Sequence, residues 1–384
     1  MDNTDNSDKN KFIKELNIIV KHMIKSKIII INQSLPPKST YEYSKLLYDA
    51  ASPNSKLINL INPTQLTKNI EHLGIDIEPR IKKYSLYYLF PKLYYRKAQT
   101  LIKNNYGDSI IHYSLQGMPR IENNKKYLYS VHDNPFKIYN TNLYNYEGNK
   151  IEKIKNRFLK SVFNKYVMTS KYIITNTNYV RKSVIKWGYK GYIFHISIPP
   201  SQNFYNMKKT KNTIRKQLGL PENKKLLLSI SDNEIRKNIK LVNELNNIMN
   251  DEYKIIRVGS PLPNSINFKN ISEEYLNLIY NAADALIFPS LEEGEGIPIL
   301  EAFKTGLPVV ASDIEPFKEI GGDAVIYIDP LNPKSFYNGV KEAINSREQL
   351  IENENIQINK FSFDIFRKQI MSVYNKINDD TKFY

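Results

Sequence analysis

The 384-residue chain contains no cysteine. That excludes disulfides, thiolate zinc sites and cysteine nucleophiles, and it fits a reducing compartment. Long apolar runs are also missing: stretches such as Ile28 to Ile31 fall far short of the roughly 20 apolar residues that cross a bilayer. The opening MDNTDNSDKN is acidic and polar and carries no signal-peptide pattern, so a cytoplasmic location is expected, with peripheral attachment to the inner face of the membrane as an extension of it. No internal repeat, no long low-complexity tract, no D-x-D motif and no clustered set of histidine and carboxylate is found, and no metal is expected.

What is present is a chain able to bury a core. Hydrophobic residues make up 41% and aromatics 12%, and the length suits two or three domains. The net charge of +16 is unevenly placed. Residues 1 to 200 hold 32 Lys+Arg against 14 Asp+Glu, whereas residues 201 to 384 hold 23 against 25. A basic half joined to a near-neutral half implies two modules, the first facing something anionic, either nucleic acid or an anionic membrane surface.

Short apolar runs alternate with helical patterns almost throughout, which predicts parallel α/β architecture. KIIIIN (27 to 32), KLINLI (56 to 61), IIHYSLQG (110 to 117), YLYSVHD (127 to 133), KYIITNT (171 to 177) and YIFHISIPP (192 to 200) read as strands of a first domain. LLLSIS (226 to 231), YKIIRVG (253 to 259), ALIFPS (285 to 290), PVVAS (308 to 312) and AVIYIDP (324 to 330) read as strands of a second. Between them, EEYLNLIYNAAD sets Leu276, Ile279, Tyr280 and Ala283 on one helical face. The polar stretch from 200 to 222 lacks a sustained period and reads as the interdomain linker. Two doubly wound domains would leave a ligand cleft between the carboxyl ends of their strands.

LEEGEGIPILEAFKTGLPVVAS (291 to 312) gathers Glu292, Glu293, Glu295 and Glu301 around Gly294 and Gly296 at the mouth of a helix that has Pro298 in its first turn and Gly306 as its stop. Glycines let the backbone turn and approach a ligand, helix N-terminal amides face a phosphate, and a carboxylate accepts two hydroxyls of a vicinal diol. The alternative is an acidic solvated turn.

That block, E-G-E-G-I-P-I-L-E followed by AFKTGLPVVASDIEPFKEIGGDAVIYIDP, resembles the E-x7-E signature of retaining glycosyltransferases of the GT-B fold, specifically glycosyltransferase family 4. RKNIKL (236 to 241), VGS (258 to 260), FKNISEEYLNLIYNAADALIFPS (268 to 290) and KFSFDIFRKQIMSVYNKI (360 to 377) are similar to family segments in the same order, and YSVHD, YIITNTNYVRKSVI and SIPPSQNF extend the likeness upstream. Residues 1–26 read as a polar tail followed by an amphipathic helix, and the resemblance implies a Rossmann-like acceptor domain at 27–205, a Rossmann-like nucleotide-sugar domain at 206–360, and a C-terminal helix in 361–384 returning to the first domain. It assigns Glu301 to the ribose hydroxyls and Glu293 to the donor sugar. By the same resemblance Gly294, Glu295, Gly296 and Ile297 would form the loop against sugar and phosphate, and Arg236 and Lys237 would neutralise the leaving diphosphate. His132 would approach the donor sugar, with Asp133 as its orienting neighbour. No cofactor beyond the nucleotide-sugar substrate is implied.

Three departures stand out. Asp232 occupies a position where many members carry arginine, Glu295 replaces a usual aromatic residue, and NQSLPPKSTY (32 to 41) lacks the glycines many members have there. The resemblance implies a sugar nucleotide donor and a hydroxyl acceptor, which can be lipid-linked, in surface polysaccharide, glycolipid or glycoprotein glycan assembly. The competing readings are a glucan synthase or phosphorylase-like enzyme and a non-catalytic nucleic-acid or lipid binder on the same fold. In the basic half, RIKKYSLYYLFPKLYYRKAQ (80 to 99) interleaves cations and tyrosines as base stacking, a membrane interface or a buried aromatic face would. NKFIKELNIIVKHMIKS (10 to 26) aligns Phe12, Leu16, Ile19, Val20 and Met23 as one stripe, suited to a membrane or to its own domain. The family context favours the membrane over nucleic acid.

Overall fold

A computed structural model describes residues 28–32, 39–60, 75–77, 96–106, 108–118, 120, 126–139 and 157–380. The expected stripe at 10–26 and most of 80–99 and of 32–41 lie outside the described residues.

In the first domain the strands are β1 (Ile28–Asn32), β2 (Ser55–Leu60), β3 (Ile75–Ile77), β4 (Ile110–Tyr113), β5 (Tyr127–Val131), β6 (Tyr172–Thr175) and β7 (Tyr192–His195). They form one sheet in the order β3-β2-β1-β4-β5-β6-β7. In the second domain β8 (Lys225–Ser231), β9 (Tyr253–Gly259), β10 (Ile266–Phe268), β11 (Ala285–Phe288), β12 (Val309–Ser312) and β13 (Val325–Ile328) form a sheet in the order β10-β9-β8-β11-β12-β13. Every pairing is parallel, with β1 facing β2 from Ile28↔Ser55 and β8 facing β9 from Lys225↔Tyr253. Helices cover both faces, so β1 (IIIIN) and β11 (ALIF) are buried along their whole length, as a continuous apolar run requires. Strand order reverses between β1 and β4 and again between β8 and β11, which opens a crevice at the carboxyl edge of each sheet.

The linker reading of 200 to 222 needs correction. Lys211–Leu218 is a helix, capped by the Thr210 side chain accepting from Thr213 N and closed by Gly219 in the left-handed region. It spans only eight residues, with Ile214 and Leu218 as its apolar positions, too short a run to reveal a period. Before it, Tyr205 N and Met207 N donate to Asn277 and Asn281, so this stretch already lies on the second domain. The helix Phe363–Asp380 returns to the first domain, where Phe366, Ile370, Tyr374 and Ile377 are buried with Ile28, Ile30 and Leu47.

Candidate functional site

The second-domain half of the site grows from the end of β11. After Phe288 the chain turns through Pro289 to Gly296, whose φ of +116° begins the helix Ile297–Thr305. A side chain at Gly296 would be strained by that φ and would press on the Phe317 ring at 3.0 Å. Glu292, Glu293 and Glu295 are 8%, 8% and 4% exposed, which rules out the solvated acidic turn.

Each buried carboxylate has specific partners. Glu293 accepts from Arg236 Nη1 at 2.9 Å, from Lys237 Nζ at 2.5 Å and from Ser290 Oγ at 2.9 Å. Burial works to raise its pKa, but Lys237 and Arg236 outweigh that and hold it below the usual carboxylate range. Arg236 also donates to Glu234 Oε2 at 2.6 Å. Burial would lower its pKa, yet Glu293, Asp133 and Glu234 hold it above its ordinary value. Arg236 and Lys237 sit on the 3-10 turn Ile235–Lys237 that follows β8. That turn is locked to the loop by Leu291 N donating to the Arg236 carbonyl at 2.7 Å.

Glu301 lies in the second turn of the helix and accepts from Tyr280 Oη at 2.6 Å. Burial pushes its pKa up to about 7, with the Tyr280 hydroxyl opposing and Glu273 adding to the rise.

The first domain supplies the opposite wall. His132 follows β5, and its Nε2 lies 2.8 Å from the Ser114 carbonyl, so Nε2 carries the proton and Nδ1 is left as an acceptor. Burial lowers its pKa and keeps the ring neutral, against the opposing effects of the Ser114 carbonyl and Asp133. Asp133 is raised by burial, while Arg236 across the cleft and His132 pull it down. Gln116 Oε1 accepts from the backbone N–H of both His132 and Asp133, at 2.7 and 3.2 Å, which fixes the strand end.

The acidic loop is pressed onto that wall. Gly294 leaves no room for a side chain, since a Cβ there would lie 1.7 Å from the His132 carbonyl oxygen. Thr177 Oγ1 donates to the Gly294 carbonyl at 2.8 Å. Glu292 accepts from Tyr179 Oη at 2.6 Å. Glu295, read from sequence as part of the donor loop, turns into the first domain instead: it accepts from Ile198 N at 2.8 Å and Asn176 Nδ2 at 3.3 Å. Its burial raises its pKa well above the carboxylate range despite those two donors. Ile297 packs against core residues of both domains.

Of the residues named from sequence, Arg236, Lys237 and Glu293 thus meet in one ion-pair cluster, Glu301 lies in the helix that follows the loop, and Gly294 and Glu295 join the loop to the first domain beside His132. Tyr280, Ser290, Asn176, Thr177 and Tyr179 were not named for the site. Tyr280 reads from sequence only as an apolar helical position, and the others lie in segments similar to the family, YIITNTNYVRKSVI and ALIFPS, without a residue type or spacing that singles them out. Among the described residues no group of three or more histidine, aspartate or glutamate side chains is placed to hold a metal ion.

Residues 210–359 match the family model for glycosyl transferases group 1. O-antigen chain mannosyltransferase RfbU of Salmonella typhimurium is 24% identical over 241 residues, 59% of this chain and 64% of that protein. The chain spans less than two thirds of the length of the curated relatives it matches. Among solved structures, sucrose-phosphate synthase from Thermosynechococcus elongatus superposes with a TM-score of 0.71 at 16% identity, over 92% of this chain and 99% of that one. HepE of Anabaena in complex with UDP-glucose superposes at 0.69 with 15% identity, over 91% and 99%. Two parallel sheets and these likenesses establish the GT-B fold of glycosyltransferases, with the group 1 match lying on the second domain.

Proposed function

We propose that the chain is a retaining glycosyltransferase of the family 4 type, transferring a sugar from a nucleotide diphosphate sugar to a hydroxyl acceptor in the assembly of an O-antigen-like surface polysaccharide. The observation that carries this reading is the meeting of Glu293 with Arg236 and Lys237 at one sheet edge, with Glu301 farther along the following helix. The ribose diol of the donor would donate to Glu301, and its diphosphate would lie against Arg236, Lys237 and the amides that open the helix Ile297–Thr305. His132 would accept a hydroxyl of the donor sugar at Nδ1.

In the transfer, the bond between the anomeric carbon and the phosphate oxygen breaks, and its electron pair leaves with the nucleoside diphosphate. Arg236 and Lys237 neutralise that growing charge. The acceptor oxygen bonds the anomeric carbon on the face the diphosphate vacates, and the acceptor proton passes to the departing phosphate oxygen. No protein nucleophile is required. RfbU is named a mannosyltransferase, so mannose is the first donor sugar to try. A lipid-linked acceptor and peripheral membrane contact through the basic first half suit the net charge; no helix among the described residues is long and apolar enough to cross a membrane.

A thermal-shift screen with UDP, GDP, ADP and their mannose and glucose derivatives tests the donor assignment, because a ligand bound only by the native state raises its Tm. One nucleotide is expected to shift the melt and its sugar to turn over with retained anomeric configuration. No shift with any nucleotide would overturn the reading, and an inverted product would overturn retention.

A further inference from the structure

A run of buried polar side chains joins the last helix to His132. Tyr374 Oη, on the helix Phe363–Asp380, lies 2.8 Å from His112 Nδ1. His112 Nε2 lies 2.8 Å from Ser130 Oγ, and Ser130 Oγ lies 2.7 Å from Tyr43 Oη. The Tyr43 ring then meets the His132 ring edge-on, with centroids 4.5 Å apart and planes at 82°. Tyr43 is 5% exposed, Ser130 1%, and His112 and Tyr374 not at all, so every link lies in the core. Phe366 of the same last helix also packs edge-on against Tyr43, at 6.4 Å.

An apolar core here would avoid the cost of burying four polar groups. A fully linked polar run instead specifies one arrangement, because each member must find its partner. His112 is kept neutral by burial and by His132, with its pKa pushed down to about 3, so one ring nitrogen donates and the other accepts. The run therefore transmits orientation: the hydroxyl of Tyr374 fixes the His112 ring, His112 fixes the Ser130 hydroxyl, and Ser130 fixes Tyr43.

We infer that Tyr43 is a positioning residue for His132, and that the C-terminal helix sets Tyr43 through the Tyr374, His112 and Ser130 links. The Ser114 carbonyl holds one edge of the His132 ring, and Tyr43 packs against the ring itself. Together they fix the ring and leave Nδ1 as its acceptor. This rests on the proposed role of His132 at the donor sugar.

Tyr43→Phe and Tyr374→Phe keep both rings and remove only the links. The first measurement uses ligand-free protein, so it stands apart from the glycosyltransferase reading: the ¹⁵N ring signals of the five histidines, with His132 assigned by its loss in His132→Asn. Both Phe variants should shift the His132 signals. Each should also lower kcat about three- to tenfold, with KM for the donor within about twofold, and the double variant should be no worse than the poorer single one, as members of one linked unit behave. His132 signals unmoved in both variants would overturn the inference. So would additive losses accompanied by a lowered Tm and weaker nucleotide binding, which mark packing alone.

Discussion

Lys237 Nζ lies 2.5 Å from Glu293 Oε1, while the other oxygen of that carboxylate takes Arg236 Nη1 at 2.9 Å. One acidic side chain thus holds both of the cations that a diphosphate would need. The Glu293 side chain is 9% exposed and that of Lys237 17%, so the pair is little screened by solvent. On the proposed reading, the donor's diphosphate competes with Glu293 for these two cations.

Glu293→Gln should therefore bind a nucleoside diphosphate more tightly, by roughly three- to tenfold, because the amide no longer competes for Lys237 and Arg236. Turnover should fall by about tenfold or more, since the sugar loses its carboxylate partner. Titration calorimetry with the diphosphate and steady-state rates with its sugar read the two effects. Weaker diphosphate binding would mean that Glu293 supports the phosphate site rather than competing for it.

Glu301 should make donor binding depend on pH. Its folded pKa is raised from 4.5 to about 7, and only the ionised form accepts both ribose hydroxyls. Affinity for a nucleotide sugar, whose diphosphate does not titrate in this range, should rise from about pH 6 to about pH 8 and then level off. Glu301→Gln should remove that dependence and weaken binding by on the order of 1 to 3 kcal/mol. A wild-type affinity flat across the range would detach Glu301 from the ribose.

Sequence pattern carried the sheets further than the site. Eleven of the strands follow apolar runs such as IIIIN and ALIF, whereas Ile75–Ile77 and Ile266–Phe268 are three-residue edges with too little length to show a pattern. The acidic loop was legible because glycine and carboxylate types limit what a backbone and a pocket can do there. The direction of each side chain was not. Glu295 sits between two glycines in the loop, yet its oxygens are taken by Ile198 N and Asn176, residues about a hundred positions upstream. Arg257 shows the same limit: on an apolar strand it is fully buried, tying Ser229, Ser231 and Ser260 together beneath the loops at the sheet edge. Such partners are set by tertiary contact, which spacing does not encode.

Glu354 predicts a stability effect away from the site. It is fully buried, neither of its oxygens receives a hydrogen bond from the described residues, and burial pushes its pKa up to about 9, against the pull of Arg347. The unfolded chain releases this proton near pH 4.5 and the folded one retains it to about 9, so folding becomes less favourable as pH rises across that window. Relative to Glu354→Gln, wild-type stability should fall by about 1.4 kcal/mol per pH unit between roughly pH 5 and 8. Denaturant unfolding of both proteins at several pH values measures this, and parallel stability curves would refute the raised pKa.

Gly294→Ala tests whether the closeness of the two domains matters to turnover. The added methyl would fall 1.7 Å from the His132 carbonyl oxygen and 2.8 Å from its carbon, and both atoms belong to backbone. A flexible side chain cannot simply move aside, so the loop and the end of β5 must separate. That separation pulls the Gly294 carbonyl from Thr177 Oγ1 and shifts His132 relative to Glu293. Arg236, Lys237 and Glu301 all lie on the second domain and keep their mutual arrangement. Nucleotide affinity should consequently stay within about threefold of wild type, while kcat drops by on the order of a hundredfold, as a displacement near 1 Å at the reacting groups produces. Small-angle scattering of the variant should show a larger radius of gyration than wild type. An unchanged kcat would mean that the chemistry does not need His132 and the acidic loop in contact, and loss of nucleotide binding with kcat would trace the defect to the second domain itself.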